Sequence, residues 1–220
     1  MSSSGSVRGM TTQQLVTFAF VSQGFIVIVG AFGDNELAQR IRTGDVVIDL
    51  YRPFDLQLWW MASWFGRSAF QVIARGLPPV LLGAIMFDLR WPDPWWHWLA
   101  FIVAVALAAT IGFANRFCSN LTTFWLLDNR GIDQMITIAM VFFAGLMLPI
   151  NLFPGWLETI ARLLPFASMI QLPTDIYLGQ HGLGGIVWVL AQQAGWAVAA
   201  LALGRFILMK ATPKVVIQRG

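Results

Sequence analysis

PWWHWLAFIVAVALAATIGFAN, residues 94–115, runs from Asp93 to Arg116 without a charged side chain. As a helix it is about 33 Å long, enough to cross a hydrocarbon core of about 30 Å. Working outward, uncharged runs recur at 134–157 and 176–204, and the best spans in and around the three runs are 95–115, 132–149 and 184–208. Toward the N-terminus, 25 uncharged residues separate Arg8 from Asp34. They predict a helix over about 11–33, polar for a span because of Gln13, Gln14 and Gln23.

The stretch 56–88 is interrupted by Arg67 and Arg75. One long helix accommodates it, with the first turns in the cytoplasm, Arg67 at the inner headgroup level, and residues 68–88 crossing with a kink at Pro78 and Pro79. Arg75 then needs a partner or a wet cavity.

The whole chain agrees with a bilayer as solvent. Its 220 residues are 57% hydrophobic and 11% charged, with a mean hydropathy of +0.67, against about 25% charged residues in soluble domains. The net charge of +3 comes from 14 basic residues scattered between apolar runs, which is no footprint for nucleic acid. The leader MSSSGSVRGMTTQQ lacks the apolar core and cleavage site of a signal peptide.

Placing 34–56, 116–131 and 209–220 in the cytoplasm puts Arg40, Arg42, Arg52, Arg116, Arg130, Lys210, Lys214 and Arg219 inside. The short loops opposite keep only Arg90 and Arg162. Trp59, Trp60 and Trp64 then fall at one membrane edge, and Trp91, Trp95, Trp96, Trp98, Trp156 and Trp188 at the other. The expected architecture is an all-α integral membrane protein, one domain over 1–220. It is a polytopic bundle of about five spans, with the N-terminus outside and the C-terminus inside.

Two segments between spans carry pattern. The first, DNELAQRIRTGDVVIDLYRPFD at 34–55, opens with Asp34 and Asn35 as candidate N-caps and stops its helix at Gly44. Leu37 and Ile41 share one face, while Glu36, Gln39, Arg40 and Arg42 are polar. Such a helix either docks a cytosolic partner or lies as a connector among headgroups.

The second segment, PINLFPGWLETIARLL at 149–164, ends a span at Pro149 and turns at Pro154-Gly155 into a short helix. Trp156, Leu157, Ile160, Ala161 and Leu164 form its apolar face, with the Glu158–Arg162 pair opposite and exposed. Residues 165–182, broken by Pro165, Pro173 and Gly179, are too polar to span and too apolar for a free loop, so a re-entrant or interfacial cap is expected.

Catalytic signals are lacking. There is no GxxxxGK[ST] loop, HExxH, paired-carboxylate motif or serine elbow. Cys118 is the sole cysteine and is far in sequence from His97 and His181, so neither a metal site nor a nucleophilic dyad is expected. His97, Asp93, Asp88, His181 and Asp175 lie on the outer side as loose loop polarity. Asn120-Leu121-Thr122 fits a glycosylation acceptor by chance, on the cytoplasmic side.

In order along the chain, Ile41-Arg42-Thr43-Gly44-Asp45, Asp49-Leu50-Tyr51-Arg52-Pro53, Gly66-Arg67 and Arg75-Gly76-Leu77-Pro78 are followed by Phe124-Trp125-Leu126-Leu127-Asp128 and Arg130-Gly131. Pro149, Phe153-Pro154-Gly155-Trp156, Leu164-Pro165-Phe166 and Gln171-Leu172-Pro173 complete the set. With these residues the sequence resembles the permeases of type-2 ATP-binding-cassette exporters, the bacterial subgroup called "ABC-2 family transporter protein". No single element is diagnostic; their order and spacing over essentially all 220 residues carry the resemblance.

The resemblance implies a transport subunit, not an enzyme, in the bacterial cytoplasmic membrane. It binds no cofactor or metal itself; ATP and Mg sit on a separate ATPase dimer. The coupling loop would comprise Glu36, Leu37, Arg40, Ile41, Arg42, Gly44, Asp45, Asp49, Arg52 and Pro53. The outer cap would comprise Pro149, Phe153, Pro154, Gly155, Trp156, Pro165, Phe166 and Pro173.

A second permease, often non-identical, completes the pathway. Relatives usually carry an interfacial helix and one additional span ahead of 11–33, six spans in all, where this sequence shows a short polar leader. Spans low in charge and rich in Phe, Met and Trp suit an amphipathic or hydrophobic cargo such as a drug-like compound, lipid or glycolipid. A secondary transporter independent of ATP is the alternative, although acids for ion coupling are nearly absent from the spans.

Overall fold

The computed structural model describes residues 10–30, 35–126 and 128–217, with side chains to residue 213. The leader before Met10, Asp34, Leu127, Arg219 and the side chain of Lys214 lie outside the described residues.

Helix α1, Thr12–Ile28, opens with a capping box. Thr11 Oγ1 accepts from the Gln14 N–H and Gln14 Oε1 accepts from the Thr11 N–H, at 3.2 and 2.9 Å. Gln14 is therefore an end group. The helix stops short of the expected 33, because Gly30 takes φ +63° with the Trp64 ring against its Cα, where no side chain fits. Two short helices follow, α2 at Glu36–Thr43 and α3 at Val46–Tyr51.

The long helix expected over 56–88 is present as α4, Leu56–Gln71, a π-helical turn at Val72–Gly76, and α5, Leu77–Met86. Asp55 caps it by accepting the Leu58 N–H at 3.0 Å. The expected proline kink takes the form of the π-helical turn. Proline rings crowd the carbonyls four residues back, and for Pro78 and Pro79 these belong to Ala74 and Arg75, both inside the wider turn.

Helix α6, Trp96–Leu121, continues into a 3-10 turn at Thr122–Phe124. It therefore holds Arg116 within the helix instead of in the expected cytoplasmic loop. Helix α7, Arg130–Phe143, ends well before Pro149, because Gly145 turns the chain at φ +84° with the Gln171 side chain packed on it. Helices α8, Gly155–Leu163, and α9, Gln171–Tyr177, lead into α10, Leu183–Ile217, longer than the expected 184–208. Among the described residues, three helices are long and apolar enough to cross a membrane: Leu56–Met86, Trp96–Phe124 and Leu183–Pro213; α1 is apolar but shorter.

Helix α6 is the spine, with α10 along its length and α1, α4, α7 and α9 on its other sides. Small residues permit this: Ala104, Ala108, Ala109 and Gly112 are buried, and a Cβ on Gly112 would lie 2.8 Å from the Val29 backbone. Bulky apolar side chains such as Phe70, Ile73, Ile85, Ile102, Val187 and Val198 cover the outside, the reverse of a water-soluble bundle.

Trp60 and Trp64, expected in an interfacial belt, are instead core residues, packed with Leu37, Phe113, Phe117 and Leu208 at the α2 end of the bundle. Trp91, Trp95, Trp156 and Trp188 are exposed at the opposite end, as a belt requires.

Candidate functional site

At the α2 end, the apolar face of α2 is spent on the bundle itself. Leu37 and Ala38 are buried and Ile41 is half-buried against α6 and its 3-10 turn. Asn35 occupies the N-cap without a side-chain bond, and Gly44 ends the helix at φ +83°, a conformation open to glycine.

Beyond it, α3 folds back and is clamped. Arg40 donates from Nε and Nη2 to the two oxygens of buried Asp49, at 2.7 and 2.9 Å, a two-pronged geometry. Arg52 flanks the same carboxylate at 3.9 Å and lies over the Trp59 ring. Arg67 reaches from α4 to Glu36 at 3.2 Å, and Thr43 Oγ1 donates to Asp45 at 2.6 Å.

Arg42, Gly44, Asp45, Arg52 and Pro53 remain exposed, joined by Ile48, Tyr51 and Phe54. Tyr51, 85% exposed, is the most open of these large side chains. The outward surface is thus the α2–α3 corner and not the Leu37/Ile41 face.

The corner is anchored to the long helices on a second side. Arg205 of α10 pairs with Asp55, and Gln57 donates to the Leu201 carbonyl at 2.9 Å. Burial would raise the Asp55 carboxyl, but the Leu58 N–H and the Arg205 guanidinium outweigh it and hold it below its ordinary value. Nearby, Arg116 pairs with Asp133 of α7 and donates to the Gly30 carbonyl at 2.7 Å, joining α6, α7 and the end of α1.

At the other end the cap is more deeply built than expected. Pro149 is half-buried before a 3-10 turn at Ile150–Leu152, and Phe153 is buried with its ring stacked on Phe142, 5.1 Å between centroids. Pro154, Gly155 and Trp156 are exposed, whereas Pro165 and Phe166 are half-buried. Every residue from Ala167 to Leu178, Pro173 included, is buried against α1, α6 or α10.

The Glu158–Arg162 pair, expected to be exposed, is instead the rim of a buried network, because Arg162 turns inward. It meets Glu158 at 2.9 Å, the 0%-exposed Asp175 at 3.3 Å, and Asn151. Gln171 donates to Asp175 at 2.8 Å and accepts the Ile150 N–H at 2.9 Å. Gln192 donates to the Arg162 carbonyl at 2.6 Å, which ties α10 to the cap. His97 Nε2 lies 3.3 Å from the His181 carbonyl; burial and then Arg162 hold the His181 imidazole below its usual value.

Sequence reading missed this network. The polar pair Gln171 and Asp175, four apart in a hydrophobic stretch, was the available signal. Among the described residues no group of His, Cys, Asp and Glu is arranged to hold a metal.

The model of the family described as "ABC-2 family transporter protein" matches residues 1–218. The chain belongs to the ABC-2 transporter family. No curated protein and no solved structure matches it. As an ABC-2 permease it is the membrane component of a transporter, associated with an ABC ATPase. The family match bears out the family recognised from the resemblance.

Proposed function

We propose that this ABC-2 permease moves an amphipathic or hydrophobic compound outward across the bacterial cytoplasmic membrane, driven by ATP hydrolysed on a separate ATPase dimer. The α2–α3 corner receives the ATPase, and a second, non-identical permease completes the pathway. Five segments cross: α1, α4–α5, α6, α7 with the turn after it, and α10, with the C-terminus cytoplasmic. Residues 165–178 form a re-entrant plug at the outer side.

The observation that carries this reading is the rigid anchoring of the corner. It is locked internally by Arg40–Asp49 and bolted to α4 by Glu36–Arg67. Its Leu37 and Val46 sit in one apolar cluster with residues of α4, α6 and α10. A push on the corner is therefore delivered to three long helices, which a loose headgroup connector could not do.

The test is purification of the tagged chain with its genomic neighbours in mild detergent. An ATPase with a phosphate loop and a second permease are expected to remain bound. Replacing Arg42, Asp45 and Arg52 together is expected to abolish transport-coupled ATP hydrolysis while the permease pair persists. Transport that survives ATP depletion would overturn the reading in favour of a secondary transporter.

A further inference from the structure

Arg75 is exposed, sits in the π-helical turn, and has no hydrogen-bond or ion-pair partner among the described residues. Its depth can be read from its neighbour. Gly76 crosses α1 at Gly24, where a Cβ on Gly24 would lie 3.7 Å from the Gly76 carbonyl. Gly24 is about 9 Å along α1 from Gly30, which Arg116 holds at the α2 end, and about 10 Å from Thr17, which accepts the Arg90 N–H at the cap end. Arg75 thus lies near the middle of the bundle, well inside both of its ends.

A guanidinium facing lipid hydrocarbon at that depth is costly, so it requires water or a counter-charge. Among the described residues, this chain offers no carboxylate there. Glu36, Asp45, Asp49, Asp55, Asp128 and Asp133 belong to the α2 end, and Asp88, Asp93 and Glu158 to the cap end. Asp175 is sealed against Arg162. By contrast the arginines Arg40, Arg67, Arg116, Arg162 and Arg205 are all paired. Wide helical turns are frequent at functional sites because they present side chains and free carbonyls that a regular helix hides.

We propose that Arg75 faces a water-filled pathway along α4–α5 and receives the negatively charged head of an amphiphilic cargo. The inference rests on the transport reading above and adds the charge of what is carried. Leu82, exposed seven residues on along the same face as Arg75, accommodates the cargo's tail.

The single native cysteine makes the test direct. In a Cys118→Ser background, Arg75→Cys in the assembled complex is expected to react with a membrane-impermeant maleimide. With purified complex, fluorescent phosphatidylglycerol is expected to be retained over fluorescent phosphatidylcholine. Arg75→Lys should keep this preference, and Arg75→Gln should lose roughly ten-fold, the worth of one charge-assisted hydrogen bond.

A cysteine inert to the aqueous reagent, its crosslinking to the second permease instead, or an unchanged preference in Arg75→Gln would overturn the proposal. ATPase copurification is independent of these readouts, so failure here leaves the exporter reading standing, and loss of the ATPase leaves the labelling result interpretable.

Discussion

Arg162 shows how a surface pair on paper becomes a structural residue. Helical spacing places Glu158 and Arg162 together correctly, but periodicity cannot say that Asp175, thirteen residues on, folds back beneath them. Removing the arginine leaves a fully buried carboxylate with only Gln171 and its surroundings for support. Arg162→Ala is expected to cost about 2–3 kcal/mol, read as a lower melting temperature in detergent. Adding Asp175→Asn to that variant is expected to restore part of the loss, a coupling that a double-mutant cycle measures directly. Arg75 is the opposite case: its need for a partner or a wet cavity was legible from its place in an apolar run, and the described residues supply no partner.

Among elements, the long helices were legible, as were the short α2 and α8, whereas α3 was not. Residues 95–115 and 184–208 lie within α6 and α10 because unbroken apolar runs leave a chain in lipid no alternative to a helix. The α2 helix was legible from Gly44 and the polarity of its neighbours. What its apolar face meets was not legible, because an amphipathic face cannot declare whether it packs on a partner or on its own bundle; here Leu37 packs on the bundle. The short α3 and the Arg40–Asp49 clamp escaped because their partner distances are set by tertiary folding, not by spacing. Asp49→Asn is expected to loosen the α2–α3 corner, so that basal ATP hydrolysis of the complex persists while stimulation by cargo falls several-fold. Unchanged stimulation would show that the clamp transmits nothing.

At the scale of the whole molecule, charge asymmetry predicts orientation. Arg40, Arg42, Arg52, Arg130 and Lys210 lie at the α2 end, with Arg90 and Arg162 at the cap end. A reporter fused after residue 220 is expected to be active only when it folds in the cytoplasm, and one inserted at Gly182 only when it folds outside; the reverse pattern would invert the bundle. The bundle's layout also dictates an order of assembly. Residues 167–178 are wholly enclosed, yet they are too polar to be delivered into lipid by their own hydrophobicity. They become enclosed only after α10, which follows them in the chain, has been threaded alongside α6. The wall of the cavity that receives them is thus synthesised after them, so the segment waits unenclosed until α10 is in place. Chains cut before α10 are expected to leave the segment open to protease at the cap face.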